Sequence, residues 1–195
     1  MLLHNWQIIY QKHLSSLSFS YDNFNIDEIE KYYQLIYDCS GKIIFTGIGK
    51  SWHIAEKIAA TYRSINIESV FVDPINSLHG DMAVFKPEDV LFVFSKSGET
   101  KEIIYLLSHI KNKLPNIILC TSNKQCTLTG YVSDILYIPV DQEADHLNKV
   151  PSTSSIIYLT LFQSLGLAVA LKKGLTIEDF GKNHPGGSLG TECNK

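Results

Sequence analysis

Five short runs along the chain are apolar at nearly every position instead of alternating with polar residues: Ile43–Thr46, Ser69–Val72, Val90–Phe94, Ile117–Cys120 and Ile135–Ile138. Continuous runs of this length, rich in β-branched and aromatic residues, are what strands covered on both faces look like. Between most of them lie helical stretches, Trp52–Ser64, Thr100–Asn112 and Gln125–Val132. The alternation predicts an α/β fold with a parallel sheet and helices on both faces. Right-handed crossovers narrow this to a doubly wound, three-layer αβα sandwich with five parallel strands, flavodoxin-like in arrangement.

The first forty positions carry a different period. Trp6, Ile9, Tyr10, His13, Leu14 and Leu17 fall on one side of a helix, and a polar break follows from Ser18 to Asn25. Asp27 precedes a second helical stretch with Ile29, Tyr32, Tyr33, Ile36 and Tyr37, and Gly41 is read as its C-terminal stop. Beyond the fifth strand, Ser152-Thr153-Ser154 offers an N-cap to the most apolar stretch, Ile156–Leu171. Gln163 and Ser164 interrupt that stretch and it is short for a membrane span, so a core or interface helix is expected. A short helix over Thr176–Phe180 leads to a glycine-rich tail, His184–Gly190, whose Pro-Gly-Gly turns the backbone sharply. The organisation expected is one domain over residues 1–195. Its first forty residues are helices packing on the sandwich or on a partner subunit, and residues 41–195 form the α/β core and tail.

Charge adds an exclusion. The 195 residues hold 17 Lys and Arg against 20 Asp and Glu, a formal net charge of -3 with no basic stripe. Nucleic acid is therefore not an expected partner, and any bound anion must be held by local geometry. Cys39, Cys120, Cys126 and Cys193 form no Cys-x-x-Cys pair and no zinc-site spacing. With no charged segment leading into an apolar signal core, they read as reduced thiols of a cytoplasmic protein.

In open parallel sheets, ligands bind beyond the carboxyl ends of the strands. The third strand leads into Ser95-Lys96-Ser97-Gly98-Glu99-Thr100 and a helix. The hydroxyls of Ser95, Ser97 and Thr100, with the helix N-terminus, suit a phosphate; a plain cap would need only one serine. Glu99 is equally what a capping box would use. The first strand leads into Gly47-Ile48-Gly49-Lys50-Ser51, which is neither a P-loop nor a dinucleotide fingerprint, so Lys50 is either a solvated charge or a site residue. His79, Glu143, Asp145, His146 and His184 each have an ordinary structural reading. Together they distribute Lys, Glu and His around one phosphate loop.

These residues resemble a known family. Gly47–Ser51, Leu78-His79-Gly80-Asp81, Ser95–Thr100, Pro151–Ser155, Glu178-Asp179-Phe180 and His184–Gly190 recur in unbroken order as in the sugar isomerase (SIS) domain, and within it the arabinose-5-phosphate isomerases. The resemblance implies an enzyme interconverting D-arabinose 5-phosphate and D-ribulose 5-phosphate through a cis-enediol, which feeds Kdo for lipopolysaccharide or capsule. It implies catalytic roles for Lys50, Glu99, Glu143 and His184. It implies substrate or phosphate contacts for Gly49, Ser51, His79, Ser95, Lys96, Ser97, Gly98, Thr100, Ser152 and Thr153. The isomerisation requires no redox cofactor and no metal, and Asp73, standing where many members have a histidine proposed to bind an inhibitory zinc, puts that metal site in doubt. A phosphosugar is the expected partner, with the nucleotide sugar CMP-Kdo as a candidate inhibitor. A homotetramer is expected, with active sites at subunit contacts that His184 could complete from a neighbour. Glu143 is the expected carbon-acid base, its basicity raised by desolvation. Departures from the family pattern fall at Trp52, at Lys96, which replaces a small polar residue, and over Asp145–Val150. They leave room for another phosphosugar isomerase of the family, and a non-catalytic phosphosugar-binding regulator is a further alternative. Many members carry paired cystathionine-β-synthase-type modules after the glycine-rich tail. This sequence stops at Lys195 without them, so a single-domain form or a shortened piece is expected.

Overall fold

The structure, a computed structural model, describes residues 2–193; Met1, Asn194 and Lys195, the ends of the expected domain, lie outside the described residues. The five apolar runs form β1 (Ile43–Gly47), β2 (Ser69–Phe71), β3 (Val90–Phe94), β4 (Asn116–Thr121) and β5 (Asp134–Tyr137). They make one sheet in the order β2-β1-β3-β4-β5, every pair parallel. Because side chains alternate across a strand, the runs of β1, β3 and β4 each feed two cores, whereas β5, at the sheet edge, gives only Leu136 to one of them. Phe45, Phe92, Phe94, Ile118 and Cys120 face one layer, and Ile44, Leu91, Val93, Ile117 and Leu119 face the other.

The first layer holds α2 (Ile26–Tyr37), α3 (Lys50–Ser64) and α5 (Thr153–Lys172); the second holds α4 (Lys101–Ile110) and a 3₁₀ turn over Thr127–Tyr131. The first core is aromatic. Phe45 stacks near Phe92 at 5.7 Å between ring centroids and meets Tyr62 edge-on at 5.1 Å. Complete burial of each such ring contributes about 1.5–3 kcal/mol.

The N-terminal region differs from the sequence reading. α1 runs unbroken over Leu2–Asp22, so the expected polar break at Ser18 is helical. Ser16 and Ser20 are buried, one turn apart, and α1 packs on α5 along that line. Small side chains at i and i+4 let the two helices approach, and this packing outweighs the weak helix propensity of serine. α2 ends at Tyr37 with Asp38 as its C-cap, four residues before Gly41. Gly41 instead lies against Asp89, whose Oδ1 would be 2.5 Å from any Cβ there. Gln125–Val132 is not an α-helix but the 3₁₀ turn. The tail from Gly187 to Cys193 is a short helix, α7, following α6 (Ile177–Lys182).

α5 is apolar all round, with mean hydropathy 1.7, and by length and composition alone it could cross a membrane. In the fold it is a core element. Tyr62 donates to the Phe162 carbonyl at 2.8 Å, and its ring lies where a Cβ on Gly166 would be, 2.4 Å away.

Candidate active site

The Ser95–Thr100 turn at the carboxyl end of β3 is braced before any ligand arrives. Ser95 Oγ and Thr100 Oγ1 lie 3.0 Å apart, and the Gly98 N–H donates to Ser95 Oγ at 3.2 Å. From the end of β4, Thr121 Oγ1 donates to the Lys96 carbonyl at 3.0 Å, and Asn123 Nδ2 to the Ser97 carbonyl at 3.1 Å. Gly98 has φ +70°, and a Cβ there would sit 2.1 Å from Cys126 Sγ, so only glycine closes this turn. Thr100 is the N-cap of α4 but its side chain makes no cap bond, which leaves the positive end of the helix facing the turn.

A cavity of about 520 Å³ opens on this turn, bordered by Ser95, Ser97, Thr100 and Ser51. That volume suits a small ligand, for which sites of about 300–1,000 Å³ are usual. A second cavity of about 130 Å³ adjoins it, bordered by Lys50, Ser154, Ser155 and Tyr158. Ile48, Ser51, Phe94 and Lys96 border both. Lys50 opens α3, preceded by Gly49 at φ +63°, the left-handed kink that turns the chain from strand into helix. The turns after β1 and β3 are neighbours because β1 and β3 pair in register, Gly47 opposite Phe94.

Glu143 lies behind this wall, 2% exposed. Its Oε1 accepts from Lys96 Nζ at 2.6 Å and from Ser154 Oγ at 2.5 Å. Its Oε2 accepts from the backbone N–H groups of Ser152 at 2.9 Å and Ser154 at 3.1 Å. The carboxylate therefore caps α5, the role expected of Ser152–Ser154; Ser152 as N-cap makes no side-chain cap bond. Burial pushes the Glu143 carboxyl up, but the Lys96 ammonium, the Ser154 hydroxyl and the two backbone donors outweigh it and hold it at about 2. The expectation that desolvation raises its basicity is thus corrected: burial is present, but five donors accompany it, the Ser152 hydroxyl at 3.4 Å included.

The remaining expected site residues divide. Ser51, Ser95, Lys96, Ser97 and Thr100 border the cavities, with Lys50 beside them. Glu99 points away: Thr127 donates to it through N at 2.8 Å and Oγ1 at 2.6 Å, which also holds its carboxyl below the ordinary value. Thr153 is buried and its Oγ1 meets His13 Nδ1 at 3.1 Å, while Ser152 Oγ accepts from the Ala144 N–H at 3.2 Å. The serines that face the cavity are Ser154 and Ser155, one helical step further on. His79 stands at the end of a 3₁₀ turn beyond β2 and borders neither cavity.

His184 stacks on Phe180 at 4.0 Å, and its Nδ1 lies 2.7 Å from the Phe180 carbonyl. Its neighbour Asn183 bonds Asn66, in the connection entering β2, so within one chain His184 sits at the opposite end of the sheet from Lys50. Ser122, directly after β4, borders the larger cavity and was missed; only its place after a strand could have pointed to it. Asp73 accepts from the N–H groups of Ile75 and Asn76 and from Asn76 Nδ2, an Asx turn. Among the described residues, no three His, Cys, Asp or Glu converge as metal ligands.

A parallel sheet in this order, with an anion-suited serine turn beside a lysine and a buried carboxylate, defines an α/β domain whose candidate site lies at the carboxyl end of the sheet. The chain belongs to the SIS domain family, whose sequence profile matches residues 35–168. Among solved structures, the E. coli CFT073 protein c3406, in complex with arabinose 5-phosphate, is similar, with TM-score 0.89 and 34% identity, over 94% of this chain and 97% of that one. Arabinose 5-phosphate isomerase KdsD of Yersinia pestis is 38% identical over 170 residues, 87% of this chain and 52% of that protein. KdsD of Pseudomonas aeruginosa is 38% identical over 164 residues, 84% of this chain and 50% of that protein. The chain spans about half the length of the curated relatives it matches.

Proposed function

We propose that the chain is a cytoplasmic aldose–ketose isomerase that interconverts D-arabinose 5-phosphate and D-ribulose 5-phosphate and so supplies Kdo synthesis. The observation that carries this reading is the shared wall. The Ser95–Thr100 turn and Lys50 border adjoining cavities, with Lys96 common to both and Glu143 bonded to it from behind. The likeness to c3406, solved with arabinose 5-phosphate, and to the KdsD isomerases supports the choice of sugar.

In this reading the phosphate sits on the serine turn at the positive end of α4, and its binding energy fixes the far end of the open-chain sugar. Glu143 takes the C2 proton as the C1 oxygen gains one, giving the cis-enediol. Return of a proton to C1, with loss of one from the C2 oxygen, completes the ketose. Lys50 stabilises the developing enediolate oxygen by charge. The reaction relocates protons with no net redox change, so it calls for no redox cofactor. Glu99, held by Thr127, acts in this scheme only by bracing the turn.

His184 opens the sugar ring and shuttles oxygen-bound protons, and it does so from a neighbouring copy in a homotetramer. Two features support that assembly. His184 lies at the far end of its own sheet, and α1, α2 and α5 leave large apolar surface uncovered. Trp6 is 60% exposed, Tyr21 73% and Leu171 81%. An apolar recess of about 550 Å³ lies between these helices, flanked by Leu17, Phe24, Ile29 and Leu165.

The test is exchange of the C2 proton of arabinose 5-phosphate in deuterated water. Glu143→Gln should lower exchange by about 10²–10⁴-fold while phosphosugar binding persists. Wild-type exchange in that variant removes Glu143 as the base, and no exchange with the parent protein removes the isomerase reading.

A further inference from the structure

The Lys96–Glu143 pair sets a contradiction within the site. The group proposed to remove a carbon-bound proton is tied to an ammonium at 2.6 Å, which makes it a poor base and covers Oε1 on the cavity side. The two partners are not equally placed. The Lys96 side chain is 42% exposed and borders both cavities, while the Glu143 side chain is 1% exposed and borders neither. An incoming dianion can reach the lysine but not the glutamate.

Lys96 also lies within the turn that receives the phosphate. Its backbone is pinned, with its carbonyl accepting from Thr121 Oγ1 at 3.0 Å and from the Ser122 N–H at 3.2 Å. The side chain alone is free to swing. Glu143 cannot follow, because Ser154 Oγ and the N–H groups of Ser152 and Ser154 keep it at the head of α5. A phosphate dianion therefore competes with one fixed, buried carboxylate for one mobile ammonium. It offers more charge and retains more water than the carboxylate does.

We propose that Lys96 is a positioning residue that couples phosphate binding to activation of Glu143: the sugar's phosphate draws the ammonium away, uncovering Oε1 and restoring its basicity only when substrate is seated. This rests on the assignment of Glu143 as base. In the empty site Lys96 neutralises and stoppers the carboxylate; in the loaded site it closes over the phosphate. Binding energy from the non-reacting end of the sugar is thereby converted into reactivity at C2. The coupling is reciprocal, so protonating or neutralising Glu143 must tighten anion binding at the turn.

The other titratable groups around Glu143 do not replace this partner. Lys50 and the buried Tyr158 border the smaller cavity, and Asp141 borders the larger one. Asp145, in the same loop, is bonded by the N–H groups of Leu147, Lys149 and Val150. His13, from α1, reaches only Thr153. Lys96 is the one cation within bonding distance of Glu143 among the described residues.

The experiment follows the Glu143 carboxyl by ¹³C NMR in protein labelled at glutamate side-chain carboxyls, with Glu143→Gln assigning the signal. Sulfate serves as the probe, at concentrations that competitively inhibit the isomerase, because unlike phosphate it stays dianionic over the acidic range to which the midpoint should rise. In the parent protein, sulfate should raise the Glu143 midpoint by about 1–3 pH units, the effect of an opposite charge at this distance withdrawn. In Lys96→Met the midpoint should be high already and insensitive to sulfate. Lys96→Arg, which restores the charge, should restore the response. A parent midpoint unmoved by inhibitory sulfate, or one that moves equally in Lys96→Met, overturns the coupling. The two failures are distinct: wild-type exchange in Glu143→Gln removes the base, whereas an immobile titration removes the role of Lys96. The parent-protein arm stands even if Lys96→Met folds poorly.

Discussion

Gly98 offers the sharpest test of how the anion turn is built. Replacing it with alanine imposes two separate costs. The backbone there has φ +70°, a left-handed conformation that charges an L side chain about 1–2 kcal/mol. The new methyl would also lie 2.1 Å from Cys126 Sγ and 2.6 Å from Cys126 Cβ. Rotating the thiol relieves the first contact but not the second, so the segment entering the Thr127–Tyr131 turn must move. Overpacking of this kind costs about 1–3 kcal/mol. A smaller gain, about 0.4–1 kcal/mol, comes from stiffening the unfolded chain. Gly98→Ala should therefore lower stability in urea unfolding by about 2–4 kcal/mol. It should also weaken phosphosugar binding about tenfold, the loss of roughly one charge-assisted hydrogen bond. Pairing it with Cys126→Gly separates the terms, since that change removes both contacts and leaves the backbone cost. In a double-mutant cycle the pair should recover the steric share, leaving about 1–2 kcal/mol. A Gly98→Ala protein within about 0.5 kcal/mol of its parent, the scatter of ordinary surface changes, would refute the reasoning.

Other expectations are simpler to state. Ser97→Ala with Thr100→Ala should weaken phosphosugar affinity while C2-proton exchange at saturation changes little, read by calorimetry and exchange together; unchanged affinity would remove the anion site. Stability should fall in acid, because folding holds the Glu143 carboxyl down from 4.5 to about 2. Its contribution is complete above about 4.5, the unfolded value, and drains away as pH falls towards 2. Urea unfolding of the parent and of Glu143→Gln between those limits should converge, and parallel curves would dismiss the effect. If His184 serves a neighbouring copy, then His184→Ala and Glu143→Gln subunits, each inactive alone, should regain isomerase activity when mixed and reassembled. Strictly additive inactivity would confine each site to one chain.

What the sequence made legible follows from range. The five strands were readable because an apolar run is a local signal, and the serine turn because its hydroxyls lie within six positions; two-faced burial holds for β1, β3 and β4, while the edge strands β2 and β5 are only partly buried. What escaped depends on contacts across the chain. Glu99 looked like a site residue, yet Thr127, far along the sequence, claims its carboxylate. Ser152–Ser154 looked like a cap in its own right, but the capping oxygen comes from Glu143 in the preceding loop. The unbroken α1 was hidden because the stretch from Ser18 reads as polar until Ser20 is seen buried beside α5. The basicity of Glu143 could not be read at all, since the sign of its shift depends on Lys96 and three hydrogen-bond donors that only the fold assembles.

The dual duty of Glu143 has a consequence for anyone transplanting loops among SIS domains. Residues 141–151 invite exchange, as a connection between β5 and α5 that runs along the edge of the larger cavity. A donor loop with no side-chain acceptor, Glu or Gln, in register with position 143 would strip the head of the most apolar helix of its acceptor, as well as removing the proposed base. Such chimeras should fail as folded proteins before they fail as enzymes, so specificity here can be re-engineered only around that one side chain.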